Sequence, residues 1–325
     1  SIIGVGTSLN YTKSIAALVD CDRINTQELV DCLRTIDAEK LTKTYMIYVF
    51  GQIEERSLFR PVIEKRNVPG AFLTRTSLVT KTKYPWMIGF STKDAGLFYI
   101  RRFIRKGDEM LSYYDKQWDT YGPPTLLLDD TSTDPVQVAR RVRKYYFQND
   151  SITKEKRQAM IDMYTDMYLI NPLIMDTYHN LAPTYVYKFD HLGNYTKAYE
   201  YGLPKNDSIG GPVHADDNLY LFAQTPFVPD LKLNTTDFNI SKLMVKLYVN
   251  FIVYGDPTPG RGIFNNPQDP KSRNIKWKSF GSKRNYLLIQ KNKLSMLRDL
   301  NSDQFKFWKS LNVNDKLLSN FNRMG

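Results

Sequence analysis

A mixed α/β architecture is predicted for this 325-residue chain, and three observations carry it. Strand-like and helix-like segments alternate along the length, as in folds where helices cover a sheet. At 42% hydrophobic and 24% charged, the chain has the means to bury a core, which excludes general disorder. No internal repeat and no low-complexity tract interrupts the alternation, so it is read as layers.

Taken in order, residues 28–36 (ELVDCLRTI) form an expected short helix carrying Cys32. PWMIGFS, residues 85–91, is a short apolar run ending in a polar turn, the pattern of a buried strand, and AGLFYIRRFI after it fits a helix. From Asp134 to Asn180 the pattern is helical in two pieces, divided by a turn around Asn149. PTYVYKFD, residues 183–190, alternates aromatic and β-branched residues as a strand does. A long polar loop then runs to His214. Residues 241–255 place Leu243, Met244, Leu247, Tyr248, Phe251 and Ile252 on one helical stripe, a core-packing face, with Ser241 to cap the start and Gly255 to end it. NYLLIQ, residues 285–290, is a further strand, and residues 303–311 a closing amphipathic helix.

Several classes of function are excluded or disfavoured. No apolar run reaches the roughly eighteen residues of a membrane-spanning helix, so no transmembrane segment is expected. The opening residues lack the basic and then apolar pattern of a signal peptide; the expectation is that such a peptide has been removed or that the sequence begins partway through a larger protein. Asn-x-Ser/Thr occurs at Asn10, Asn149, Asn194, Asn206, Asn234 and Asn239. With just two cysteines, this points to a secreted glycoprotein in which Cys21 and Cys32 form one bridge; two reduced buried thiols are the alternative. The net charge of +11, with basic runs at 101–106 and 140–144, invites a nucleic-acid partner. Neither run carries a nucleic-acid motif, and solvated helix faces account for both, so no such partner is expected. The histidines, His179, His191 and His214, show no metal-ligand spacing, and neither metal nor cofactor is expected.

Several segments, in order, resemble one family. DCLRTID, LFRPVIE (58–64), PWMIGFSTKDAGLF, PTYVYKFD, GGPVHADDNLYLF (210–222), VNFIVYGDPTP and the stretch from Trp277 to Trp308 are similar to the carboxyl-terminal portion of type-B carboxylesterases, the cholinesterase/carboxylesterase family, the insect secreted esterases most closely. The resemblance implies an α/β-hydrolase fold. Residues 1–325 would be the carboxyl-terminal portion of one large single domain, lacking the amino-terminal part of the sheet. It also implies the Cys21–Cys32 bridge and a catalytic order of serine, acid, histidine.

Carried over residue by residue, His214 is the expected general base, and His179 and His191 are structural or exposed. In the direct alignment Ala95 stands at the acid position, with Asp94 next to it as the candidate substitute. Asp216 and Asp217 resemble residues that bond local backbone amides. No Gly-x-Ser-x-Gly elbow occurs; the nearest approaches begin at Gly4 and Gly89. The serine and oxyanion glycines are therefore expected on an amino-terminal companion polypeptide, without which hydrophobic sheet edges would face water. Two functions follow as expectations. One is a secreted serine ester hydrolase acting on small-molecule esters. The other, with Ala95 in the acid's place, is a non-catalytic binding or adhesion protein, or an ester-sequestering one.

Overall fold

The structure, a computed structural model, describes all residues except 1–4, 52–58, 60, 65–66, 76–80, 130, 149, 225–229, 261, 265–273, 292, 312 and 314–325. Asn149, and Leu58 and Arg60 of the 58–64 segment, lie outside the described residues. The helices are α1 (Val5–Ala17), α2 (Thr26–Thr35), α3 (Ala38–Gly51), α4 (Gly96–Tyr99), α5 (Asp108–Lys116), α6 (Trp118–Thr125), α7 (Pro135–Phe147), α8 (Arg157–Thr165), α9 (Asn171–His179), α10 (Thr236–Tyr254) and α11 (Ser302–Lys309). The strands are β1 (Trp86–Ser91), β2 (Thr184–Asp190), β3 (Ile263–Phe264), β4 (Asn274–Ile275), β5 (Tyr286–Gln290) and β6 (Lys293–Leu297). They belong to two compact units, residues 1–79, 112–151 and 311–325 in the first, residues 80–111 and 152–310 in the second.

In the first unit, α2 starts where the Asn25 carboxamide oxygen accepts the N–H groups of Gln27 and Glu28, at 2.8 and 3.2 Å. Its inner face buries Leu29 against Ala16, Val19 and Cys21, and the Cys21–Cys32 disulfide joins the two segments. Helix α7 begins at Asp134, whose carboxylate accepts Gln137 N–H, with Pro135 in the first turn. It lies against α6, where Trp118 Nε1 donates to Ala139 O at 3.0 Å.

The second unit is built on a four-stranded sheet of order β1-β2-β5-β6, parallel except for the β5–β6 hairpin. Strand β2 is internal to the sheet and mostly buried, which its aromatic and β-branched residues suit. Tyr185, Tyr187 and Phe189 face one layer with Trp277 and the α10 residues Ile240, Met244 and Leu247. Val186 faces the other with Phe90, Ile174 of α9 and Phe305 of α11. Among the described residues the outer edge of β1 pairs with no strand.

Helix α10 departs from the sequence expectation at its start. The cap is Thr235, six residues before Ser241, and its hydroxyl accepts Phe238 N–H at 3.2 Å. Its end is as expected: Gly255 takes φ 65° and donates its N–H to Phe251 O. Ile252, expected on the buried stripe, is 77% exposed. The buried stripe runs through Ile240, Met244 and Leu247, and Ile252 shares the outer face with Val245 and Val249.

Candidate active site

The turn after β1 folds on its own polar groups. Asp94 N–H donates to Ser91 O at 3.2 Å, and Ser91 N–H donates to Asp94 Oδ2 at 2.8 Å. A two-rung ladder then joins this turn to the histidine loop, with Lys93 N–H donating to Pro212 O (2.9 Å) and His214 N–H to Asp94 O (3.1 Å). The approach is close: a Cβ at Gly96 would lie 2.9 Å from Ile209 Cγ2 and 3.0 Å from Val213 Cγ1. With both backbones fixed, the shorter aspartate side chain suffices, and Asp94 Oδ1 lies 2.7 Å from His214 Nδ1.

The carboxyl that faces the imidazole is thus that of Asp94. Ala95, expected at that position, points elsewhere: it is fully buried, its N–H donates to Thr165 Oγ1 at 3.2 Å, and it heads α4. The one-residue difference arises because the Ser91–Asp94 turn, rather than the count of residues from β1, decides which side chain reaches the loop.

Asp94 has 5% of its side chain exposed and His214 52%. The bond to Asp94 and that carboxylate's charge raise the imidazole above its usual value, against the opposing effect of burial. A neutral imidazole with its proton on Nδ1, bonded to Asp94, leaves the Nε2 lone pair as the ring's proton acceptor.

Around this pair, sequence reasoning missed a hydroxyl network. Tyr187 OH donates to Asp217 Oδ2 at 2.6 Å and lies 2.9 Å from Tyr248 OH. The ring reaches across Gly89, where an added Cβ would sit 1.8 Å from Tyr187 Cζ. The usable signal was the Gly89 of PWMIGFS, a glycine inside a strand, which marks a close approach. Tyr201 OH donates to His214 O at 3.2 Å, and burial holds that phenol up at about 12.

The other sequence candidates fall outside this cluster. His191 is buried, with Nε2 2.7 Å from Asp237 Oδ1, and so ties the loop after β2 to the first turn of α10. His179 ends α9 and is half-buried. Asn10, Asn194, Asn206, Asn234 and Asn239 are exposed. Among the described residues no group of three or more His, Cys, Asp or Glu is arranged to hold a metal ion, and no helix is long and apolar enough to cross a membrane.

A largely parallel sheet covered by helices on both faces, with an acid after one strand and a histidine in the loop after its neighbour, is the arrangement of the α/β-hydrolase fold. Juvenile hormone esterase from Manduca sexta, solved with OTFP covalently attached, has the same fold: TM-score 0.69 at 18% identity, covering 96% of this chain and 57% of that one. The profile of the Carboxylesterase family matches residues 3–308, and the chain belongs to that family. Among curated relatives, Juvenile hormone esterase of Tribolium castaneum is 26% identical over 274 residues, 78% of this chain and 46% of the relative. Carboxylic ester hydrolase of Bombus ignitus is 25% identical over 323 residues, 94% and 54% respectively. The chain spans about half the length of the curated relatives it matches.

Proposed function

We propose that this chain supplies the general base, His214, and its orienting acid, Asp94, to a serine ester hydrolase acting on small carboxylic esters. The observation that carries the proposal is the 2.7 Å contact between His214 Nδ1 and a buried carboxylate, on an imidazole that is itself half exposed. In the reaction, His214 Nε2 takes the proton of a serine hydroxyl as its oxygen attacks the ester carbonyl, then returns that proton to the departing alkoxide. A water molecule, activated the same way, releases the acid from the acyl-serine. Asp94 holds the tautomer and stabilises the imidazolium.

The serine and the oxyanion donors come from outside these 325 residues, since no Gly-x-Ser-x-Gly occurs in them. We assign them to an amino-terminal polypeptide segment. The unpaired edge of β1 supports this, because a parallel sheet edge needs covering. Within this reading residues 1–325 are one portion of a single α/β-hydrolase domain. Secretion is part of it too, supported by the disulfide and five exposed sequon asparagines, and a mobility shift on glycosidase treatment tests it.

The alternative, a non-catalytic or ester-sequestering protein, draws on Ala95 at the acid position, and the Asp94 contact weighs against it. The deciding experiment is fluorophosphonate labelling of the protein together with its serine-bearing segment. Label on that segment, lost in His214→Ala, is expected. Absence of label from the intact assembly would overturn the catalytic reading and favour the binding one.

A further inference from the structure

We propose that Asp216 is a positioning residue for His214: its buried carboxylate clamps the turn 213–216 to the loop at 196–197 and so holds the imidazole against Asp94. The inference rests on the reading of His214 as general base. It is argued from a separate set of contacts.

Asp216 is 2% exposed and takes three donors from two segments. Oδ2 accepts Val213 N–H at 2.9 Å and the Thr196 hydroxyl at 2.7 Å, and Oδ1 accepts Lys197 N–H at 2.7 Å. Two of these are backbone amides that would otherwise be buried or half-buried without this acceptor. The turn they close is unfavourable on its own. Asp216 N–H donates to Val213 O at 3.1 Å, which places Ala215 third in a four-residue turn at φ 65°, a conformation that suits glycine or asparagine. Ala215 directly follows His214. Were the clamp released, relaxation of Ala215 to negative φ would rotate the peptide that carries the histidine. The histidine backbone would then be held by Tyr201 OH on His214 O at 3.2 Å and by the His214 N–H rung to Asp94 O at 3.1 Å, neither of which fixes φ at Ala215.

A space-filling role does not account for a carboxylate here. Burial pushes Asp216 up to about 6 even against its three donors, and among the described residues no cation forms an ion pair with it. Its neighbour Asp217 serves a different group, the Tyr187 hydroxyl, and bonds none of the amides that close the turn. That makes Asp217 the control for charge alone, because both carboxylates act on His214 through space.

The readout is the low-field NMR resonance of the His214 Nδ1 proton in the chain assembled with its serine-bearing segment, which reports its bond to a carboxylate and needs no ester or turnover. The resonance is expected in the parent protein and in Asp217→Asn, and its loss is expected in Asp216→Asn. Retention in Asp216→Asn overturns the clamp. Equal loss in Asp217→Asn overturns it as well, by assigning the effect to charge, and so does a parent chain without the resonance. Should Asp216→Asn fail to fold, Thr196→Val decides, since it removes one neutral donor: a shifted resonance supports the clamp and an unshifted one overturns it. A protein that shows the resonance and its dependence on Asp216 but never takes fluorophosphonate label would lose the catalytic reading and keep the clamp.

Discussion

Protonation is favoured at His214 because Asp94 and its charge act on the imidazole, whereas a general base must be neutral. Ester turnover is therefore expected to rise with pH through a histidine value above the ordinary one. Asp94→Asn should lower the plateau by roughly ten-thousandfold and move the acid limb of the pH profile to lower pH, as read from kcat/KM against pH. For folding, the same pair contributes most below the unfolded histidine value, and the contribution is lost as pH rises through the folded one. The gain is small for a half-exposed ring. At the next residue, Ala215→Gly should stabilise the fold by about 1 kcal/mol in a denaturant titration, because glycine takes φ 65° without the Cβ penalty. His214 was legible in the sequence because its loop motif is local. The choice between Asp94 and Ala95 was not, because a bonded turn, invisible to residue counting, sets which of two adjacent side chains faces the loop.

Among the elements, the start of α10 offers a direct comparison. Thr235→Ala should cost about 1 kcal/mol by removing the cap on Phe238 N–H, and Ser241→Ala, inside the helix, should cost little. The misplacement has a physical cause: residues 236–240 are mostly polar, so apolar periodicity alone marks only the later turns. Strand β1 was legible as a short apolar run and β2 as an alternation of aromatic and β-branched residues, and β5 (NYLLIQ) was also read as a strand. Strand β6 was missed because KLSML, mostly half-buried or exposed, owes its conformation to pairing with β5 and not to its own pattern. The Cys21–Cys32 bridge closes a span of 11 residues, and replacing both cysteines by serine should lower unfolding stability by roughly 3 kcal/mol in urea titration.

For the whole molecule, the four-stranded sheet ends in two edge strands, β1 and β6, each paired on one side only among the described residues. Strand β6 is the short antiparallel arm of a hairpin, whereas β1 is a parallel edge strand, the kind that is ordinarily buried inside a larger sheet. The chain by itself is expected to self-associate in sedimentation velocity and to become a defined species once joined by the proposed serine-bearing segment. A folded, soluble monomer would count against that segment as a partner. Fold class was readable from alternation alone, but the coupling of sheet to site was not, because it runs through a methyl group that is missing at Gly89. Tyr187 fills that space and carries its hydroxyl to Asp217. The two positions consequently form one inherited unit. A descendant that gains a side chain at 89 must give up the large ring at 187 and with it the hydroxyl strut. Paired libraries at 89 and 187 should return survivors in which bulk at one position excludes bulk at the other.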